Sequence, residues 1–255
     1  MRFRLTAFGL HLLGSTCVLT LVLGGLYLGW YHWPGWYLTA VTRVLLIVGL
    51  VDLGLGPTLT LIIANPKKPR RALARDIAII ATVQVAALVY GATTLWQGRP
   101  LYYTFSANRL ETVQASDLKD EEIALARKAN PSFVPHWYSL PRWVWAPLPD
   151  DPDKAMSIVK STFFGEGQDV IDMPRYFKPW DAGLAELRKH LSTIDDLKQQ
   201  RWLSPKEQQT VKARMAAAGL SPAQRNTMVM WGAVRRLVVV FDPESARIRA
   251  ILKTV

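Results

Sequence analysis

A chain of 255 residues, half of them hydrophobic and carrying a net charge of +11, is long enough for a membrane part and one soluble domain. A basic excess can indicate nucleic-acid binding, but the sequence contains no motif of that class and much of the excess flanks apolar segments, so we predict no nucleic-acid partner. The single cysteine, Cys17, excludes an intrachain disulfide and a cysteine-based metal site, and we predict no cofactor and no metal.

Three apolar segments predict three transmembrane helices, over residues 5–30, 41–64 and 76–97. Each is long enough for a bilayer core, which a helix of about 20 residues crosses. The start of the first segment looks like a signal peptide, but its apolar run is too long and no small-residue cleavage site follows, so we expect an uncleaved anchor. We therefore predict a lipid-embedded domain over residues 1–97 and an extracytoplasmic α+β domain over residues 98–255.

Most basic residues of this part lie on one side of the predicted helices, and only Arg43 and Arg99 lie near the other ends. Cytoplasmic loops carry an excess of Lys and Arg, so this asymmetry predicts a cytoplasmic amino terminus and a periplasmic carboxyl-terminal domain. The residues that determine this topology are Arg2, Arg4, Lys67, Lys68, Arg70, Arg71 and Arg75.

Asp52 lies near the middle of the second apolar segment, where a charge is costly and usually faces protein rather than lipid. Counting the helical rise from the segment ends places Ser15 and Thr16 at a similar depth and Gln84 about one turn nearer the cytoplasm. We predict an intramembrane polar cluster of these four residues. It could hold the helices together, bind a partner helix or relay protons; we favour the first, and the third lacks a second intramembrane acid.

Glycines and a proline surround this carboxylate, at Gly49, Gly54, Gly56 and Pro57. The glycines could let neighbouring helices approach closely. Alternatively, the proline removes a backbone donor and clashes one turn back, which kinks a helix. We expect a bend near Gly54.

The pattern changes after residue 98. Alternating aromatic and β-branched residues predict a strand over 101–113, and two more strands form a hairpin near the carboxyl terminus, so we expect a small antiparallel sheet that joins both ends of the domain. Helices are predicted between them, two beginning at capping boxes with proline at the first helical position. The predicted helices are 118–129, 153–164 and 181–200, with two more beginning at Ser204 and Ser221 and ending near Gly219 and Gly232, and the last strands are 236–242 and 246–252.

Residues 133–149 form a proline-rich segment that cannot be a regular helix. It contains Trp137, Trp143 and Trp145. These side chains could pack on the domain core, lie on the membrane surface or contact a partner, and we name them as candidate partner contacts.

Catalytic motifs are absent from the sequence, which contains no glycine-rich phosphate loop, no nucleophile elbow and no HExxH. The four histidines are scattered along the chain, and only His136, next to Trp137, lies near a candidate aromatic pocket. We predict no catalytic residue and no enzymatic activity.

Short motifs resemble the type IV pilin accessory protein family over residues 1 to about 115. They are the VDLGLGPTLTL run of residues 51–61, the basic loop 65–69, Tyr90–Gly91, the segment 97–100 and the AFGLHLL start of the first helix. The resemblance implies a multi-pass protein of the bacterial inner membrane that acts on the major pilin as a chaperone or assembly modulator.

Two other classes remain open. One is a membrane-anchored envelope enzyme that modifies pilin, which would need converging acids or histidines in the outer domain. The other is a membrane scaffold or sensor subunit without specificity for pilin.

Overall fold

A computed structural model describes residues 1–164 and 168–255. These residues divide into two compact units. One unit contains Met1–Trp36 and Ala40–Arg99, and the other contains Tyr37–Thr39 and Pro100–Val255. Gly165 and Gly167, which follow the helix predicted over 153–164 and are expected to end it, lie outside the described residues.

Three long helices build the first unit, and all three are long and apolar enough to cross a membrane. They confirm the three predicted helices. The second is interrupted by a π-helical segment, and the first ends in one. The elements are α1 (Arg2–Leu26) with a π-helical end (Tyr27–Tyr31), α3 (Val41–Gly49), a π-helical segment (Leu50–Leu55), α4 (Gly56–Ile63) and α5 (Arg70–Gln97), with the short α2 (Gly35–Leu38) after the first.

Aromatic residues pack together at one end of the first unit. The ring centroids of Trp30 and Trp96 lie 5.1 Å apart, and the hydroxyl of Tyr31 donates to the carbonyl oxygen of Leu95 at 2.6 Å. Tryptophan and tyrosine prefer the membrane–water interface because their rings are amphipathic. This packing places Trp30 and Trp96 at the same end of the helices.

A seven-stranded sheet forms the second unit, in the order β4-β3-β1-β2-β5-β6-β7 within the described residues. The prediction of a small antiparallel sheet was wrong, because β1 pairs in parallel with β3 and β2 in parallel with β5. The strands are β1 (Pro100–Ser106), β2 (Arg109–Gln114), β3 (Arg142–Trp145), β4 (Lys178–Pro179), β5 (Thr227–Trp231), β6 (Arg236–Phe241) and β7 (Ile248–Lys253).

Strands β3, β4 and β5 were not predicted as strands, and one predicted strand is divided in two. The expected single strand over 101–113 is a hairpin that turns at Ala107, whose positive φ of 49° closes the tight connection between β1 and β2. The helix expected after Ser221 is instead β5, whose residues are almost all buried in the sheet. Burial between two neighbouring strands outweighed the local helix-start signal there, as tertiary packing often does.

Helices cover both faces of the sheet. The capping box at Ser204 is present, with Glu207 as its partner, but the helix predicted over 181–200 is broken where Ser192 exchanges backbone hydrogen bonds with Thr227. The helices are α6 (Asp120–Ala129), α7 (Pro152–Phe163), α8 (Leu184–His190), α9 (Ile194–Gln199) and α10 (Pro205–Ala217).

Apolar side chains alternate between the two faces of the central strands. In β6, Leu237 and Val239 join one core cluster while Val238 joins another that includes α9 and α10. Burial on both faces is typical of sheets with parallel pairs. Leu38, from the segment between the first two long helices, is fully buried in the same cluster as Leu237 and Val239, and no local pattern predicted this.

Candidate functional site

Asp52 is buried within the first unit, with 5% of its surface exposed, on the π-helical segment. The local sequence explains this segment. Pro57 has no N–H to donate one turn back, and the N–H of Gly56 donates instead to Val51, five residues earlier. The wider turn replaces the simple bend expected near Gly54.

Gln84 of α5 connects the three long helices. Its Nε2 donates to the backbone oxygen of Asp52 at 3.1 Å and to the hydroxyl of Ser15 at 3.4 Å. The structure therefore brings together three of the four predicted cluster residues, but Gln84 contacts the backbone of Asp52 rather than its carboxylate. Thr16 points away, is exposed and donates to Leu12.

His11 is the main residue of this cluster that the sequence reading missed. Its Nε2 lies 2.7 Å from Oε1 of Gln84, and its Nδ1 lies 2.6 Å from the hydroxyl of Thr60. Because Nε2 of Gln84 donates to a carbonyl, its Oε1 must face His11, and Nε2 of His11 must carry a proton. A periodicity of polar residues along α1, with His11 one turn before Ser15, was the available signal.

The four residues of the predicted glycine and proline set differ in their surroundings. A Cβ added at Gly56 would lie 2.2 Å from Nε2 of Gln84, whereas one at Gly54 would only touch Leu50 at 3.7 Å. At Gly49 a Cβ would meet nothing within 4 Å among the described residues. Among the other described glycines, the tightest approach is at Gly91, where a Cβ would lie 2.3 Å from Val48.

The predicted topology residues lie at one end of the first unit. Nε of Arg4 donates to the carbonyl oxygen of Ala64 at 2.9 Å, which brings the start of α1 beside the basic loop, and Lys68 forms a 2.6 Å ion pair with Asp76. The remaining predicted topology residues are exposed; they are Arg2, Lys67, Arg70, Arg71 and Arg75.

The three tryptophans of the proline-rich segment have different environments in the second unit. Trp143 and Trp145 lie on β3 and pack against the core, with the ring of Trp143 centred 5.0 Å from that of Tyr103. Trp137 lies outside any strand and is 71% exposed. Trp137 is therefore the member of this set whose surface is free within its unit to meet another molecule.

Acidic residues also converge in the second unit, near β2. Burial, together with the charges of Asp117 and Glu111, raises the pKa of Asp172 to about 7. Arg109 lies opposite and forms ion pairs with Glu111, at 3.1 Å, and with Asp169. No group of three or more His, Cys, Asp or Glu that could hold a metal occurs in residues 1–164 and 168–255.

The chain belongs to the class of proteins that join apolar helices suited to a membrane to a mixed-sheet domain. Proteins with similar sequences are named fimbrial assembly proteins. The chain is 25% identical over 218 residues to "Fimbrial assembly protein, serogroup I" of Dichelobacter nodosus, covering 84% of the chain and 80% of the relative. The serogroup E1 protein is 23% identical over 216 residues, with the same coverage. A protein of serogroups C1 and C2 is 26% identical over 118 residues, which are 46% of the chain and 90% of that relative.

No protein-family model matches the chain, and no solved structure matches it significantly. The similarity to fimbrial assembly proteins extends over most of the chain and agrees, at the level of pilus assembly, with the resemblance drawn from the short motifs.

Proposed function

We propose that this chain is an inner-membrane assembly protein of type IV pili that binds the major pilin, as a chaperone or assembly modulator, and has no enzymatic activity. The observation that carries the proposal is the similarity to fimbrial assembly proteins over 84% of the chain. Three helices long and apolar enough for a membrane support its place in the bilayer.

The distribution of charge supports an orientation. Positively charged ends of membrane helices stay in the cytoplasm, so the end that contains Arg4 and Lys68 is cytoplasmic and the second unit lies in the periplasm. In this orientation, the first unit could contact the apolar helix of an unassembled pilin in the bilayer, and the second unit could contact the pilin head in the periplasm.

A deletion strain and a tagged full-length chain test this function. We expect the deletion to lower surface pilus yield, and the major pilin to co-purify with the tagged chain from detergent-solubilised membranes. An unrelated three-span inner-membrane protein carrying the same tag is the control. Normal pilus yield in the deletion strain, together with no pilin in the purified material, would reject the proposal.

The intact mass of the pilin separates this function from the enzyme alternative. An assembly protein leaves the mass of pilin unchanged between wild-type and deletion strains, whereas an envelope enzyme that modifies pilin changes it. A scaffold or sensor without pilin specificity would lower pilus yield without holding pilin during purification.

A further inference from the structure

A groove of about 160 Å³ lies between α1 and α5 in the first unit. Apolar and small side chains form its rim, including Val18, which is 48% exposed, and Val85, which is 58% exposed. Asp52 contributes to its wall from the π-helical segment behind. The lining residues are Ser15, Val18, Asp52, Ala81, Gln84, Val85 and Leu88.

One oxygen of the carboxylate in this groove has no hydrogen-bond donor among the described residues. Oδ1 of Asp52 is buried and has no hydrogen-bond partner in the described part of the chain. The nearby donors are engaged elsewhere, since Gln84 donates to the backbone oxygen of Asp52 and both ring nitrogens of His11 face other atoms. A buried acid without a donor is unfavourable, most of all inside a membrane.

We infer that this groove holds an apolar membrane-spanning helix of a partner, and that this helix brings an N–H, O–H or cationic donor to Asp52. The inference rests on the proposed function, so the helix is that of the major pilin. Complementarity argues for such a helix, because a lipid chain would cover the apolar rim but bring no donor. Small groove residues such as Ser15 and Ala81 let a helix approach closely.

Site-specific photocrosslinking in the full-length chain, in the bacterium that makes it, tests the inference. A photoreactive residue replaces Val85 in the groove or Val83, which is similarly exposed at 51% but lies about 200° away around the helix. We expect Val85 and not Val83 to crosslink to the membrane-spanning segment of the pilin, identified by peptide mass.

Substitutions test the role of the carboxylate in the same assay. Asp52→Leu should lower the Val85 crosslink by about threefold to tenfold, the effect of one or more interhelical hydrogen bonds. Because Asp52→Leu could disturb folding, Ala81→Trp provides a second test. The added indole fills the groove from an exposed position, so the Val85 crosslink to pilin should fall. Thr82→Trp, at an adjacent exposed position, is its control and should leave the crosslink unchanged.

The outcomes separate the inference from the proposed function. Pilin that co-purifies but never crosslinks from Val85, or that crosslinks equally from Val83, overturns the groove and leaves the function standing. Crosslinks from Val85 only to lipid or to a second copy of this chain also overturn it. Absence of pilin from both experiments rejects the function itself.

Discussion

Gly56 illustrates how one absent side chain allows a polar contact between helices. The amide of Gln84 occupies the space that a Cβ at Gly56 would need, with its Nε2, Cδ and Oε1 at 2.2 to 2.8 Å from that position. From there the amide reaches Asp52 and His11. A glycine is needed at this position because the amide of Gln84 takes the space of a side chain. The backbone φ of Gly56 is negative, so it does not itself require glycine.

We predict that Gly56→Ala destabilises the first unit by about 1–3 kcal/mol, because the added methyl displaces the amide of Gln84. Gly49→Ala is the matched control; it meets nothing within 4 Å among the described residues and should be neutral or slightly stabilising. Thermal unfolding of the full-length chain in detergent measures both. Equal melting temperatures for the two variants would contradict the packing.

Asp172 gives the second unit a specific dependence on pH. Its pKa is raised to about 7 by burial and by the negative charges of Asp117 and Glu111, above the value of about 3.9 in an unfolded chain. Between these values the folded state holds a proton that the unfolded state has lost. This contribution to stability is therefore present at low pH and is lost as the pH rises towards 7.

We predict that Asp172→Asn removes this dependence, so that the variant gains stability relative to the wild type as the pH is raised from 5 to 8. Asp150→Asn, at an exposed position, should leave the pH dependence unchanged. Melting temperatures across this pH range, in one buffer of constant ionic strength, check the prediction. If the melting temperatures of Asp172→Asn and the wild type changed with pH by the same amount, a group other than Asp172 would be responsible for the pH dependence.

At the scale of elements, the sequence predicted the helices and caps that depend on residues close together in the chain. The long apolar helices and the capping box at Ser204 depend on nearby residues and are present. The parallel pairing of β1 with β3 depends on residues about 40 positions apart, such as Tyr103 and Trp143, and local patterns carry no information about it. Local patterns likewise did not predict the contact between His11 of α1 and Gln84 of α5, which are 73 residues apart.

Trp143 lies on strand β3 and Trp137 lies outside it, so we expect the two side chains to contribute differently to stability. We predict that Trp143→Ala destabilises the second unit by about 3 kcal/mol, because it removes an aromatic ring packed between those of Tyr103 and Trp180. Trp137→Ala, at a 71% exposed position, should change stability by less than about 0.5 kcal/mol.

Thermal unfolding and pilin co-purification of the same two variants distinguish core packing from partner contact. If Trp137→Ala loses pilin at unchanged melting temperature, Trp137 contacts the partner. If Trp143→Ala melts like the wild type, the packing described for β3 does not stabilise the unit.

The whole molecule combines two units whose physical requirements differ. The first unit exposes Leu10, Leu28, Leu46 and Ile62, as suits lipid, whereas the second buries its apolar residues on both faces of a sheet. Composition predicts a division near residue 98, because the charged residues are sparse before it. What composition could not predict is that Tyr37–Thr39 belongs to the second unit, since those residues have the same aromatic character as their neighbours at the helix ends.

Topology is the prediction on which the proposed function depends at this scale. In a chain whose only cysteine has been removed by Cys17→Ser, single cysteines replace Lys67 in the basic loop or Asp150 in the second unit, both exposed. In the proposed orientation, positive charges keep the basic loop in the cytoplasm. A membrane-impermeant maleimide should therefore label the cysteine at 150 in intact spheroplasts and the cysteine at 67 only after lysis. Labelling of both positions on the same side would contradict the orientation, and labelling of 67 alone in intact spheroplasts would reverse it and place the second unit away from assembled pili.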